Sequence, residues 1–153
     1  MVVGAETVRQ EGYRPARARA EFAGRREAAG QAPAPAIAVV TASLDLDLSL
    51  PLFTSPLVPT LLLTGAAAAP ARAVAALAGL GHTRLLTEGG PRMLGQFVAA
   101  GVLDELCLTV SPMLTAGDAQ RIAGGPSIPV PQRFALVSLL EEGGFLFGRY
   151  RRS

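Results

Sequence analysis

The sequence predicts an α/β fold: a mainly parallel sheet with flanking helices and a C-terminal antiparallel hairpin. Three observations carry this. Short runs rich in Val, Ile and Leu at 37–41 (IAVVT), 60–64 (TLLLT) and 84–87 (RLLT) have the continuous apolar character of strands covered on both faces. Helical patterns separate the later runs, so strands and helices alternate along the chain. Near the C-terminus two apolar segments flank Glu141-Glu142-Gly143-Gly144, the signature of a hairpin.

Taken in order, Val2-Val3-Gly4 reads as the end of a buried strand and Glu6 to Glu11 as a short helical turn. Gly12 to Pro35 is rich in Ala, Arg, Gly and Pro without a strong period, which predicts a long loop of the kind that is usually functional or disordered. Ile37 to Thr41 is a strand, and the Leu/Asp alternation from Ser43 to Pro51 is an exposed edge or turn. The uncharged run Leu48 to Ala71 is interrupted by Pro51, Pro56, Pro59 and Pro70, which a membrane-spanning helix of about 20 residues would not tolerate. It predicts two short buried strands with a loop, the second being Thr60 to Thr64. Ala71 to Leu80 is an Ala-rich helix with Val74, Leu77 and Leu80 on one side, ending at Gly81. Arg84 to Thr87 is a third strand. Pro91 to Ala100 is a helix with Pro at its first position, Met93, Leu94, Phe97 and Val98 on one face, and Gly101 just past its end. Glu105 to Ser111 alternates as a fourth strand, Met113 to Pro131 is a Gly/Pro-rich loop, and Phe134 to Leu140 with Phe145 to Tyr150 form the hairpin arms. No repeat is present, and the expectation is one core and one domain over the 153 residues.

Composition removes several function classes. A single cysteine, Cys107, forbids an intrachain disulfide and a structural zinc site of several thiolates. One histidine, His82, forbids a His–His metal pair, and no metal is expected. All fourteen cations are Arg, so lysine Schiff-base chemistry and a phosphate-loop lysine are out. Aromatic residues are sparse, Trp is absent and the net charge is only +2, which argues against a nucleic-acid platform. The start of the sequence has no secretory pattern, which gives a cytoplasmic protein without a membrane partner as the expectation.

The segment that carries chemistry is strand–Glu88-Gly89-Gly90-Pro91–helix. Two glycines let the backbone come close to a ligand, and the following helix offers unpaired N–H groups at the positive end of its dipole. Such a turn is either an anion site, most often for phosphate, or simply a tight strand-to-helix connection. Glu88 stands where the strand ends, at the edge of the sheet where open α/β sheets bind ligands. The motif is neither GxGxxG nor a phosphate loop.

Here the sequence resembles a family. Leu85-Leu86-Thr87-Glu88-Gly89-Gly90-Pro91-Arg92-Met93-Leu94-Gly95-Gln96-Phe97, followed by Gly101-Val102-Leu103-Asp104-Glu105-Leu106 and Val110-Ser111-Pro112-Met113-Leu114, is similar to the reductase domain of riboflavin biosynthesis. That domain is the C-terminal half of the bifunctional deaminase–reductase and has a dihydrofolate-reductase-like fold. Val3 to Tyr13 (VGAETVRQEGY) and, more weakly, Ile37 to Leu44 (IAVVTASL) agree with it.

The resemblance implies an NADPH-dependent oxidoreductase that passes hydride to the ribosyl C1′ of 5-amino-6-(5-phosphoribosylamino)uracil, a small-molecule pyrimidine ribosyl phosphate. It implies that Thr7, Glu11 and Ser43 contact NADPH, and that Gly90, Pro91, Arg92, Met93, Leu94, Gly95 and Gln96 wrap the cofactor phosphates. The bottom-up anion-site reading adds Gly89 to that set. Glu88 matches the acidic position facing the pyrimidine and is the candidate catalytic residue, by hydrogen bonding and proton assistance. Arg14, Arg17 and Arg19 stand where the family's loop grips the substrate phosphate, with Arg17 the chosen contact. The family dimerises through its C-terminal part, so a homodimer is expected. Two departures stand out. The sequence lacks the family's first strand with its S-L-D-G-like turn, and only Gly65 to Pro70 fills the place of an internal strand. The alternatives are therefore a non-enzymatic homologue that binds nucleotide or pairs with a full-length subunit, and a same-fold reductase of another heterocycle. Outside the motif, Cys107 reads as a small core side chain, His82 as a solvated turn residue, and Arg149, Arg151 and Arg152 as solvated charges.

Overall fold

Val2–Gly4 forms β1, and in the computed structural model, which describes residues 1–153, it lies beside β2 (Ala38–Val40), with β3 (Leu61–Leu63) on the far side of β2. Both pairings are parallel, with Val2, Ala38 and Leu61 in one register row and Val3, Val39 and Leu62 in the next. Alternation along a strand sends these rows to opposite faces. One face holds Val3 and Val39 in a core with Ala5, Val8, Ile37 and Leu52. On the other face Val2 and Ala38 are buried, and with Leu61 and Leu77 they line a cavity. Burying each of these Val or Leu side chains contributes about 1.5–3 kcal/mol.

Around this sheet stand α1 (Ala5–Glu11), α2 (Ala20–Ala28), α3 (Pro51–Thr54), a 3₁₀ turn at Gly65–Ala68 and α4 (Pro70–Gly79). Pro51 and Pro70 each open a helix, where a missing N–H costs nothing. The chain divides into two compact units, Met1–Gly90 and Pro91–Ser153. The second contains α5 (Pro91–Ala99) and an antiparallel sheet of β4 (Glu105–Val110), β5 (Phe134–Glu142) and β6 (Phe145–Arg152), in the order β4-β6-β5. Val137 interrupts the β5–β6 register as an extra residue. No helix is long and apolar enough to cross a membrane.

The α/β class, the parallel sheet and the terminal hairpin agree with the sequence expectation. Several elements differ, each for a physical reason. The single mixed sheet is replaced by two: β4, β5 and β6 pair only with one another. Arg84 to Thr87 is not a full strand; it touches β1 through one parallel bridge, Val2 to Thr87, and Leu86 is exposed. The supposed long loop contains α2, whose Ala, Glu and Arg content favours helix. No α2 side chain is buried, so no apolar period marks it. The first of the two strands expected between Leu48 and Ala71 is instead the helix α3. Leu80 is exposed while Ala73 and Leu77 carry the buried side of α4. Cys107 is exposed, because both faces of the β4-β6-β5 sheet are largely open.

Within the second unit, α5 buries Met93, Gly95 and Phe97. The loop after β4 crosses this helix closely enough that a Cβ on Gly95 would overlap the Gly124 carbonyl oxygen, and Gly124 N–H donates to the Pro91 carbonyl at 2.9 Å. Gly95→Ala therefore forces backbone apart and is expected to lower stability by about 1–3 kcal/mol, read from urea denaturation; unchanged stability would show that the loop yields freely.

On the β4–β6 ladder, Glu105 receives Arg149 at 2.9 Å and Arg151 at 2.8 Å. Hydrogen bonds from Arg149 and then Arg151 pull its carboxyl from an ordinary value of 4.5 to about 2. A depressed native pKa stabilises the fold above the ordinary carboxylate range and loses that contribution as pH falls toward 2. An NMR titration should show Glu105 still ionised at pH 3, and Arg149→Gln should move its midpoint upward.

Candidate functional site

In the first unit, chain order decides where a ligand can enter. β1 has β2 on one side and Thr87 on the other. The chain steps from β1 to β2 to β3 and then returns across to the opposite side of β1. That reversal is a topological switch point, and ligands bind outside the carboxyl ends of the strands there. Two hydrogen bonds fix the return: Val2 N–H to the Leu86 carbonyl at 2.7 Å and Glu88 N–H to the Val2 carbonyl at 3.2 Å. Glu88 thus stands at the switch point, with its backbone tied to the central strand and its side chain exposed.

The side chain that meets it comes from the end of α1. Gly12 caps this helix in the left-handed region, at φ 58°, with its N–H on the Val8 carbonyl. Glycine enters that region without the steric cost a side chain carries. The turn directs Tyr13 onto the core of Val3, Val8 and Val39, and the phenol donates to Glu88 Oε2 at 2.9 Å. Burial first, and then the Glu88 hydrogen bond and charge, push the phenol well above its ordinary value of 10, so it is a donor at every working pH. Tyr13 also forms one wall of a cavity of about 650 Å³ lined by Arg14, Arg17, Leu50, Ser55 and Leu57. No acidic side chain lines it. Arg14 and Arg17 thus stand in the cavity wall, and the Tyr13 hydroxyl, which also lies 2.7 Å from Met1 Sδ, joins that wall to the Glu88 carboxylate.

The neighbouring carboxyl end of β2 is also shaped by local bonds. Thr41 is buried, and its Oγ1 accepts the Leu44 N–H at 3.0 Å. Leu44 has φ 56°, a conformation that costs a residue with a Cβ roughly 1–2 kcal/mol and is concentrated at functional sites. Arg9 links this turn to α1, donating to the Asp45 carbonyl at 2.6 Å and pairing with Glu6.

Each residue expected at the site can now be placed. Thr7 is half-buried on α1, Glu11 is exposed at its end, and Ser43 is exposed in the turn after β2. Ser43 lies beyond the strand, which stops at Val40. Arg17 is exposed in the cavity wall with Arg14; Arg19 does not line it and pairs with Glu21. Gly89 donates a long hydrogen bond to Thr87 Oγ1, 3.5 Å. At Gly90 a Cβ would meet nothing within 4 Å. In the second unit Arg92 and Gln96 are exposed, Pro91 and Leu94 are half-buried, and Met93 and Gly95 are buried, the last against the Gly124 loop. His82, expected in solvent, is half-buried in the wall of a separate cavity of about 430 Å³, with Arg26 and Arg84, at the amino ends of the strands. The residue that sequence reasoning missed is Tyr13. Its only signal was the glycine before it, which marks a helix end and hence a redirected chain.

These features can be compared with known proteins. None of the curated proteins matches the chain. Among solved structures, a pyrimidine reductase-like protein from Corynebacterium diphtheriae is 24% identical, covering 99% of this chain and 75% of its own, with a TM-score of 0.81. Acinetobacter baumannii RibD is 16% identical over 99% of this chain and 46% of its own, TM-score 0.74. A Thermotoga maritima diaminohydroxyphosphoribosylaminopyrimidine deaminase/5-amino-6-(5-phosphoribosylamino)uracil reductase is 15% identical over 99% of this chain and 44% of its own, TM-score 0.75. At these identities the likeness is one of fold, and the chain spans less than half of the last two proteins. The family model of the RibD C-terminal domain matches residues 1–143, and the chain belongs to that family.

Proposed function

We propose that the chain is an NADPH-dependent reductase of the riboflavin type, acting on a pyrimidine that carries a ribosyl phosphate, such as 5-amino-6-(5-phosphoribosylamino)uracil. The observation that carries this is a cavity walled by Arg14, Tyr13 and Arg17, joined through the Tyr13 hydroxyl to the Glu88 carboxylate. A substrate with an anionic phosphate at one end and an N–H-rich ring at the other matches that order. Guanidinium groups bind phosphate by paired donors, and a carboxylate accepts ring and amino N–H groups. Fixing both ends orients the C1′ between them, and orientation is the protein's main contribution when a cofactor carries the hard step.

The residues present fit the cofactor. Gly90 has open space where a side chain would stand, so a phosphate can approach its backbone, and Gly89 beside it is likewise without a side chain. Thr7 and Ser43 offer hydroxyl groups at the carboxyl ends of β1 and β2. NADPH, when bound, supplies the hydride that reaches C1′. Glu88 then serves to hold the pyrimidine, and Arg17 to hold the phosphate.

Gly90→Val tests the site, because a Cβ at this position meets nothing within 4 Å. It should leave thermal stability nearly unchanged while weakening NADPH more than tenfold, about 1.4 kcal/mol, by calorimetry. Wild-type turnover of the aminouracil ribosyl phosphate, followed by NADPH absorbance, tests the reaction. Tight NADPH binding by Gly90→Val would place the cofactor elsewhere, and cofactor binding without turnover would favour the non-enzymatic alternative.

The assembly proposed is a homodimer. On β5 and β6, Leu136, Leu139, Leu140, Phe145 and Phe147 are all exposed, a density of apolar side chains that marks an interaction surface. Light scattering at micromolar concentration should give twice the chain mass, and Leu140→Arg should shift it to the monomer. A wild-type monomer would overturn the assembly.

A further inference from the structure

We propose that Tyr13 is a substrate-positioning residue, whose phenol holds the Glu88 carboxylate as a fixed hydrogen-bond acceptor so that the site selects heterocycles presenting ring N–H donors. This rests on the pyrimidine-reductase reading above and deepens it. Three observations meet at this pair. The two residues are 75 positions apart in sequence and 2.9 Å apart in space, so the contact is made by the fold. The Tyr13 side chain packs on the core and the residue lines the cavity with Arg14 and Arg17, which anchors the phenol. Glu88 is exposed and is tied through its backbone N–H to Val2, and its side chain meets the Tyr13 phenol and the charge of the Met1 ammonium.

The chemistry follows from the donor inventory. Two carboxylate oxygens offer about four acceptor positions. Tyr13 fills one on Oε2 and, being a phenol that does not ionise at working pH, keeps its O–H as a donor there. Glu88 is exposed, so its remaining positions are accessible to donors on a ligand, in competition with the nearby Met1 ammonium. A ring with adjacent N–H groups satisfies them; a ring with methylated nitrogens, or with acceptors there, leaves a desolvated carboxylate unpaired, and such losses are severe. Glu88 held this way is a recognition group, and the orientation supplied by Tyr13 is what sharpens the selection.

The test uses 5,6-diaminouracil and its 1,3-dimethyl analogue as probes, with calorimetry on wild type, Tyr13→Phe, Glu88→Gln and the double variant. Wild type should bind diaminouracil at least tenfold more tightly than the methylated compound. Tyr13→Phe keeps the ring in the core and removes only the hydroxyl. It should weaken diaminouracil about tenfold and reduce the preference, with NADPH affinity unchanged. In the Glu88→Gln background, Tyr13→Phe should have almost no further effect, a coupling that a merely structural tyrosine would not show. The proposal is overturned if Tyr13→Phe retains wild-type affinity and preference, or if its effect persists undiminished without the Glu88 charge. A wild-type protein that binds NADPH and diaminouracil but ignores methylation overturns the proposal and leaves the reductase reading standing. Binding of neither NADPH nor diaminouracil overturns both.

Discussion

The first unit is organised by the two hydrogen bonds that Val2 makes with the segment 86–88. Through them a three-residue strand acquires a neighbour on its second edge, and the chain, having walked outward through β2 and β3, is brought back to the centre. The return creates the switch point, and the switch point defines the crevice. Because the second of those bonds uses the Glu88 N–H, the carboxylate is positioned by the sheet itself. Without this pairing Glu88 would be one more exposed acid on a loop, and Tyr13 would lack its partner.

The turn after α1 acts on the same place from the other direction. A helix of seven residues has little intrinsic stability and is held by burying Ala5 and Val8 in the core. Its termination at Gly12 sets the direction in which Tyr13 leaves. The Arg9 contacts to Asp45 and Glu6 are exposed and contribute little to stability, yet they tie α1 to the turn at Leu44. Core packing thus supplies the energy, and the polar contacts supply the register of the loops above the sheet.

Much of this was legible in the sequence. IAVVT and TLLLT read as buried strands because their apolar side chains cover both faces, and Glu88-Gly89-Gly90-Pro91 read as a strand-to-helix turn because glycine and proline constrain the backbone locally. What was illegible had no local mark. The pairing of Tyr13 with Glu88 depends on how the chain returns to β1, which no window of residues encodes. The helix α2 buries nothing, so periodicity could not reveal it. Cys107 alternates with apolar neighbours as a core strand would, but its exposure depends on whether anything covers the sheet. Gly95 belongs to the phosphate-wrapping stretch by resemblance, whereas its closest neighbour is the Gly124 carbonyl; a glycine required for packing and one required for ligand approach look alike in sequence.

The contrast between Gly90 and Gly95 shows how the motif divides its work. At Gly90 the space beside the α-carbon is open: its φ is not positive and a Cβ there would meet nothing within 4 Å. Under the proposed function that open space is where a phosphate approaches the backbone. At Gly95 the space is already taken by backbone, so the demand is internal and a ligand has no room. The same argument separates the acids. Glu105 is consumed by Arg149 and Arg151, which pull its carboxyl down to about 2, and its interactions close among themselves. Glu88 is exposed, accepts from the neutral Tyr13 phenol and feels the Met1 ammonium only through charge. Under the proposed function the first carboxylate maintains the fold and the second is the one a substrate completes.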